Sequence, residues 1–344
     1  MTVEAAVSAR RKMRRILSGN VKNHLKSFVM RLFSADEISE PSVTELRREH
    51  LWSIGIYSGN SPFDIASPEN VTNPVLSYKD ISDVPALFVA DPFMIEVNHI
   101  WYMFFEVMNK QNRKGEIGLA ISNNGLEWIY RQIVIAEPFH LSYPYIFKWT
   151  SDYYMIPESY QAGSIRLYKA VEFPTQWTFI GNLLSGPYYA DSSLFHYDNK
   201  WWLFAETNPD LKHDTLRLYY AENLTGPWFE HTGSPLIAGN AHVARPAGRI
   251  LIFDGRIIRY AQDCDPIYGT QVRAFEITAL TVTSYQERAV GESPVLRGSG
   301  TGWNECGMHH IDPHPMGEGR WIACVDGFLW QECRTLSSGA EIAR

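Results

Sequence analysis

The sequence predicts an all-β protein built as a five-bladed β-propeller, preceded by a basic amphipathic helix. One pattern recurs along the chain: an acidic or polar head, a short aromatic-rich strand, a turn and a return strand. The heads fall about fifty residues apart, at Asp91, Tyr143, Asp191, Arg245 and His310. Repeats of this length made of strands, with no helical pattern between them, are typical of propeller blades. Five heads therefore predict five blades.

The third blade shows the repeat most clearly. It opens on Asp191, turns at Asp198-Asn199 and returns along an aromatic strand to Glu206, fifteen residues from the head. A hairpin folds its last residue back beside its first, so both acids are predicted to lie on one rim. The same fifteen-residue frame joins head to hairpin end in the two preceding blades, in the pairs Asp91 with Glu106 and Tyr143 with Glu158.

The last two blades follow the pattern with different heads. The fourth opens on Arg245 and turns at Asp254-Gly255. The fifth opens at His309-His310 and returns through a glycine-rich turn to Asp326. Leu51–Tyr57, which precedes the first blade, alternates as a strand. We predict that it supplies an outer strand to the fifth blade, because this closes the ring and removes an exposed edge.

Residues 1–34 are unlike the rest of the chain. Eight basic residues stand there against one acid, Glu4, although the 344-residue chain has a net charge of −7. Apolar residues between Met13 and Phe33 follow a helical stripe, which predicts a basic amphipathic helix. This helix is expected to lie on an anionic membrane surface, or alternatively to pack on the propeller or mediate dimer contacts. The predicted domains are the helix and linker (1–50), the propeller (51–331) and a C-terminal tail (332–344).

Composition excludes several classes of protein. Hydrophobic residues make up 45 % of the chain and charged residues 20 %, and no apolar run reaches the ~18 residues of a membrane span. Charges interrupt any candidate secretory signal, and the four cysteines form no C-x-x-C pair. We therefore expect a cytoplasmic protein that can lie peripherally on the inner face of the membrane. Residues 35–344 are net acidic, which disfavours nucleic-acid binding.

Several longer strings resemble one family. Between about Leu51 and Asp326 the chain is similar to the N-terminal propeller domain of plant glucosamine inositolphosphorylceramide transferase and its bacterial counterparts. The aspartate heads of blades one and three more distantly resemble the arabinanase and β-xylosidase clan of glycoside hydrolases. The strings that carry the closer resemblance are Trp52–Phe63, Phe88–Phe93, His140–Phe147, Ile156–Ser159, Tyr260–Gly269 and His309–Asp312.

The hydrolase resemblance implies an inverting set of three acids. Asp91 matches the base of blade one, and Asp191 matches the aspartate that tunes the acid. The fourth blade opens on Arg245, however, and a fixed positive charge cannot protonate a leaving oxygen. Two explanations stay open: either Glu158 or Glu206 is the general acid, or the leaving group is a phosphate gripped by Arg245. An ion pair between Arg245 and a ring acid is the simpler alternative.

The expected function is glycosyl transfer, with a phosphate-linked sugar donor and a glycan or glycolipid acceptor. The alternatives are an inverting glycoside hydrolase and a non-catalytic glycan-binding propeller. The hydrolase resemblance also implies a central cation, so His310 is expected beside a structural calcium ion, with no other cofactor required. Aromatic and imidazole side chains are expected to stack on or bind the sugar, namely Tyr143, Tyr145, Tyr268, Trp303 and His309.

Deleting residues 1–34 tests the membrane interpretation of the basic helix. The truncated protein is expected to remain folded but to lose co-sedimentation with anionic vesicles, because each basic residue near such a surface contributes about 1 kcal/mol. Neutral vesicles serve as the control. Equal binding by the truncated protein would contradict the membrane role, and loss of folding would favour packing on the propeller.

Overall fold

The computed structural model describes residues 44–291 and 294–336. Within these ranges the chain is all-β, with short 3-10 helices at Tyr78–Asp80, Tyr160–Ala162 and Gly302–Asn304. The N-terminal helix predicted for residues 1–34 lies outside the described residues. No helix in the described part of the chain is long and apolar enough to cross a membrane.

The strands assemble into five antiparallel sheets, one for each predicted blade. Residues Arg48–Gln331 form one compact unit. The strands, in chain order, are β1 (Thr44–Ser61), β2 (Asp64–Ala66), β3 (Ala86–Val97), β4 (Ile100–Asn109), β5 (Lys114–Ser122), β6 (Ile129–Ile135), β7 (Ser142–Trp149), β8 (Asp152–Glu158), β9 (Ser164–Glu172), β10 (Gln176–Ser185), β11 (Ala190–Tyr197), β12 (Lys200–Glu206), β13 (Leu216–Ala221), β14 (Phe229–Glu230), β15 (Leu251–Phe253), β16 (Arg256–Asp263), β17 (Gln271–Leu280), β18 (Tyr285–Ala289), β19 (Leu296–Arg297), β20 (Ile311–Gly317) and β21 (Arg320–Leu336).

Four blades are consecutive in sequence and the fifth closes the ring. Blades one to three are β3–β6, β7–β10 and β11–β14, and blade four is β15–β18 with β19 beside β17. Blade five has the order β2-β1-β21-β20. The predicted closure by the strand before blade one is therefore confirmed. That strand begins at Thr44, so residues 44–50 are extended and not part of a linker with a short helix.

The hairpin turns follow the sequence signals. Asn98 and His99 join β3 to β4 with φ of 53° and 64°, and Asp198 and Asn199 join β11 to β12 with φ of 49° and 56°. Positive φ at both central residues is the condition for a type I′ turn, whose twist matches that of the flanking strands. The predicted turns are therefore confirmed, and they fix the register that returns each hairpin end to its head.

The heads of the first three blades share an unusual backbone conformation. Asp91, Tyr143 and Asp191 have φ of 54°, 45° and 47°, in the left-handed region. At each head the register with the neighbouring strand shifts, as in a β-bulge. Residues other than glycine cost on the order of 1–3 kcal/mol in such conformations, which tend to cluster at functional sites. The bulge re-aims the head side chain away from regular strand alternation.

Candidate functional site

Hydrogen bonds from the backbone of the blade heads join blade five to one, one to two and two to three. The Asp91 N–H donates to Asp326 Oδ2 of blade five at 2.9 Å, and the Tyr143 N–H donates to Asp91 Oδ2 at 3.3 Å. The Asp191 N–H likewise donates to Glu158 Oε2 at 3.1 Å. A strained head thus presents its N–H to an acid of the preceding blade. Part of the acid ring is therefore structural.

Arg245 lies among these acids. Its Nε donates to Asp191 Oδ2 at 2.6 Å, and its Nη2 lies 3.4 Å from Glu158 Oε2. Its Nη1 lies 2.8 Å from His213 Nδ1, and its guanidinium carbon is 5.0 Å from the centre of the Tyr268 ring. The side chain is buried. The ion-pair interpretation of Arg245 therefore holds, and a phosphate would have to compete with two carboxylates for the same donors.

The pKa values of the two carboxyl groups that contact Arg245 are shifted in opposite directions. Burial opposes the charged form of Asp191, but Arg245 outweighs burial and lowers the pKa of this carboxyl. Burial and the charge of Asp191 raise the pKa of Glu158 well above its usual value, although Arg245 opposes this shift. Asp191 is thus the fixed anion of the cluster.

Glu206 is a fully buried acid that keeps one oxygen free. Its Oε1 accepts the N–H groups of Asn208 at 2.8 Å and Thr215 at 3.4 Å. Its Oε2 has no hydrogen-bond partner among the described residues. Burial raises the pKa of Glu206 to about 7, although those backbone donors and Arg245 oppose the rise. A free oxygen and a pKa near neutrality are what a general acid needs.

Asp91, like Glu206, has a raised pKa and one oxygen without a hydrogen-bond partner. Burial raises its pKa to about 7, with Asp191 and Asp326 adding to the rise, while His309 opposes it. Its Oδ1 makes no hydrogen bond within the described part of the chain, although His309 Nε2 lies 3.4 Å away. Asp91 and Glu206 stand on blades one and three, which are not neighbours in the ring.

His309 does not offer its ring nitrogens to a substrate, contrary to the prediction. Nδ1 lies 2.7 Å from Asp326 Oδ1 and Nε2 points at Asp91. The ring also stacks on Trp52, with centroids 4.0 Å apart. Burial disfavours the charged ring, but Asp326 outweighs burial and raises the pKa of His309.

His310 has features that fit the predicted cation. It is fully buried, and neither ring nitrogen has a hydrogen-bond partner among the described residues. Burial lowers the pKa of its ring to about 4, so the ring is neutral and its nitrogens suit the water shell of a calcium ion, which itself takes oxygen ligands. The nearest acid is Asp91, with Oδ1 3.9 Å from Nδ1. Asp91, His309 and Asp326 also bring three ligand atoms within 4.8 Å of one another.

The predicted stacking residues fall into three environments. Tyr143 and Tyr145 belong to the hydrophobic core, and their hydroxyls donate to the carbonyls of Gly248 and Leu194. Neither ring has a face free for a sugar, so the stacking prediction is wrong for both. Trp303 packs against Gly55 of β1 and Gly327 of β21, outside the acid ring. Tyr268 does lie in the cluster, beside Arg245 and 5.2 Å from the His309 ring.

The structure adds residues to the predicted site. Gln262 Nε2 donates to Asp191 Oδ2, and His213 reaches Arg245 from the loop between β12 and β13. Burial and Arg245 lower the pKa of His213 to about 4, so it is a neutral acceptor. A left-handed backbone at His213, with φ of 55°, holds it there. Gln262 stands at the hairpin end of blade four, where the repeat places it, whereas no periodic signal marks His213, whose role depends on a contact between blades.

Known proteins are similar to this chain. Residues 45–328 match the family described as glucosamine inositolphosphorylceramide transferase 1, N-terminal. A relative with that enzyme name from Oryza sativa subsp. japonica is 36 % identical over 300 residues, which cover 81 % of this chain and 40 % of the relative. The chain thus spans about two fifths of the length of the curated relatives it matches. The family resemblance seen in the sequence is confirmed.

Solved structures of glycoside hydrolases share the fold. The α-L-arabinanase of Cellvibrio cellulosa, complexed with arabinohexaose, has a TM-score of 0.50 and 16 % identity, covering 71 % of this chain and 94 % of its own. The α-L-arabinofuranosidase of Podospora anserina, in complex with cellotriose, has a TM-score of 0.52 and 11 % identity, covering 69 % and 90 %. At these identities the likeness shows the fold alone, and the predicted five-bladed propeller is confirmed.

The raised pKa of Glu206 predicts a pH-dependent cost in stability. Because the folded carboxyl titrates near 7 and the unfolded one near 4.5, the folded state binds the extra proton between these values, and stability falls as pH rises through them. Glu206→Gln removes this dependence. Urea unfolding measured at pH 5 and at pH 8 should show that the free energy of unfolding falls between these pH values by roughly 2–3 kcal/mol more in the parent than in the variant.

Glu222→Gln, a change at an exposed glutamate of the same blade, is the matched control and should behave as the parent. A parent and a Glu206→Gln variant with the same pH dependence of unfolding would contradict the raised pKa.

Proposed function

The chain belongs to the family described as glucosamine inositolphosphorylceramide transferase 1, N-terminal, and from this we propose that its propeller is a carbohydrate-active enzyme of glycosyl transfer in the broad sense. The observation that carries the proposal is that the buried acids around Arg245 have different pKa values. Asp191 is held as an anion, while Asp91 and Glu206 titrate near neutrality with one oxygen free. Titratable groups whose environments separate their pKa values mark acid and base roles.

In the proposed reaction, Glu206 is the general acid and Asp91 the general base. Asp91 accepts the proton of an attacking hydroxyl group while the oxygen of that hydroxyl group forms a bond to the anomeric carbon. Glu206 gives its proton to the leaving oxygen as the bond from the anomeric carbon to that oxygen breaks. An inverting reaction needs the two groups on opposite sides of the sugar, and their positions on non-adjacent blades support this assignment.

Asp191 and Glu158 take supporting roles. Asp191, fixed as an anion by Arg245 and Gln262, places negative charge near the cationic sugar of the transition state and disfavours ionisation of Glu206. Glu158 shares its Oε2 between Arg245 and the Asp191 N–H, so it suits orientation better than proton donation. Tyr268 is the aromatic residue best positioned to contact the sugar.

A phosphate-linked donor is the second candidate. It is favoured by the transferase names of the relatives, and it would use Arg245 to bind the leaving phosphate. The contacts of Arg245 with Asp191, Glu158 and His213 weigh against it, because the phosphate would enter an acidic cluster whose one guanidinium is already paired. A glycan or glycolipid acceptor is proposed in either case.

A calcium ion and the N-terminal residues also belong to the proposal. No cofactor is required for this chemistry, although a calcium ion held near His310 would supply positive charge that lowers the pKa of Asp91. Residues 1–34, placed on an anionic inner membrane surface, would bring a cytoplasmic propeller to a glycolipid acceptor.

Leaving-group dependence distinguishes the two candidates. With glycosides of poor leaving groups, Glu206→Gln should lose roughly 10²–10⁴-fold in kcat/KM, because proton donation to the leaving oxygen is lost. Aryl glycosides whose leaving groups need no protonation should restore most of that loss. The measurement is the turnover of parent, Glu206→Gln, Arg245→Ala and the control Glu222→Gln on activated glycosides, unactivated glycosides and nucleotide-linked sugars.

Other outcomes of the same experiment decide between the candidates. Turnover of nucleotide-linked sugars that falls in Arg245→Ala and not in Glu206→Gln would overturn the general-acid assignment in favour of the phosphate-linked donor. Oligosaccharide binding by the parent without turnover of any donor would overturn the enzyme and leave a glycan-binding propeller.

A further inference from the structure

Glu106 is a buried acid of the ring that no role described so far uses. It lies in β4, and its strand partner is Ala90, the residue before Asp91. It therefore occupies in blade one the place that Glu158 and Glu206 occupy in blades two and three. Those two glutamates accept backbone N–H groups. Glu106 Oε1, by contrast, has no hydrogen-bond donor among the described residues, although the residue is only 5 % exposed.

His140 lies against this unpartnered oxygen in a defined tautomer. Its Nδ1 accepts the N–H of Gly115 at 2.8 Å, so its proton must be on Nε2. Nε2 stands 3.5 Å from Glu106 Oε1, longer than an ordinary N–H···O hydrogen bond. The two groups thus lie close together, and Glu106 Oε1 has no hydrogen-bond donor among the described residues.

The approach of these groups depends on Gly115. A Cβ at that position would lie 2.7 Å from Glu106 Oε1 and 2.8 Å from His140 Cε1, and 2.2 Å from the Leu141 carbonyl oxygen. Any side chain there would displace the pair. Because Gly115 has no side chain, blade one and the start of blade two can meet at this point.

Burial favours the uncharged form of both members of the pair. Burial raises the pKa of Glu106 well above its usual value, and the charges of Asp91, Glu158, Asp191 and Asp326 add to this. Burial, with Arg245, lowers the pKa of His140 to about 4. A protonated carboxyl and an imidazole N–H bind a neutral polar group well, since a buried polar atom without a partner costs free energy.

We propose that Glu106, positioned by His140, binds the attacking hydroxyl group beside Asp91. The inference rests on the proposed function. Asp91 Oδ1 is also unpartnered, and Asp91 directly follows Ala90, the strand partner of Glu106. A hydroxyl there donates its proton to Asp91 and is held by Glu106 and the Nε2–H of His140. The ligand class is thus a neutral alcohol, a sugar hydroxyl of the acceptor.

The choice between acceptor and water provides the test. On an activated aryl glycoside with an added sugar alcohol, transfer and hydrolysis are measured together. Glu106→Ala should raise the acceptor KM and lower the ratio of transfer to hydrolysis about tenfold, the loss that corresponds to about 1.4 kcal/mol. Glu106→Gln, which keeps both donor and acceptor atoms, should stay within about threefold of the parent. A change that merely loosened the fold would lower both products together.

Glu116→Gln is the matched control. Glu116 is a buried glutamate of the same blade whose Oε1 accepts from the side chains of Asn109 and Asn112. It should leave the ratio unchanged. An infrared carboxylic-acid C=O band that is present in the parent and in Glu116→Gln, but absent in Glu106→Gln, should identify the neutral Glu106.

Failure of the inference and failure of the proposed function give different results. A parent that turns over no glycoside overturns the function, whatever the variants do. An active parent whose Glu106→Ala variant keeps the ratio of transfer to hydrolysis, or an infrared spectrum that shows no protonated Glu106, overturns the inference alone.

Discussion

The left-handed blade heads are the constraint on which the rest of the centre depends. At Asp91, Tyr143 and Asp191 the positive φ turns the head N–H toward an acid of the preceding blade. This arrangement forces carboxylates into the middle of the ring. It also uses only part of their hydrogen-bonding capacity, because Asp91, Asp191 and Glu206 each keep one oxygen without a partner among the described residues. Asp91 and Asp191 thus join neighbouring blades and still keep an oxygen without a partner.

Arg245 decides what those acids can do. Several buried carboxylates in one low-dielectric region cannot all be ionised, since like charges raise one another's pKa. One guanidinium pairs most closely with Asp191 and fixes it as the anion. The charge of Asp191 in turn helps to keep Glu158, Glu206 and Glu106 protonated. Burial thus raises the pKa of the proposed acid and base, and the ion pair with Arg245 holds Asp191 as an anion. The proposed mechanism therefore needs no glutamate head in the fourth blade.

The fold and the ring of acids could be predicted because both follow from local patterns. Turn residues set the hairpins, and the fifteen-residue frame puts head and hairpin end together. The stacking residues could not be predicted in the same way. Tyr143 lies in a bulge and Tyr145 follows it, and the bulge decides whether a ring points into the core or toward a ligand. The roles of His309 and the Glu106–His140 pair depend on neighbours from other blades, which no spacing reveals.

Neutron diffraction of deuterated crystals near neutral pD would test whether the buried ion pair of Arg245 and Asp191 separates the protonation states of the acids. We expect deuterium on the carboxyl group of Glu106, none on Asp191, and a fully deuterated guanidinium on Arg245 facing Asp191. A deuteron on Asp191, or a deprotonated Glu106 beside a doubly protonated His140, would contradict it.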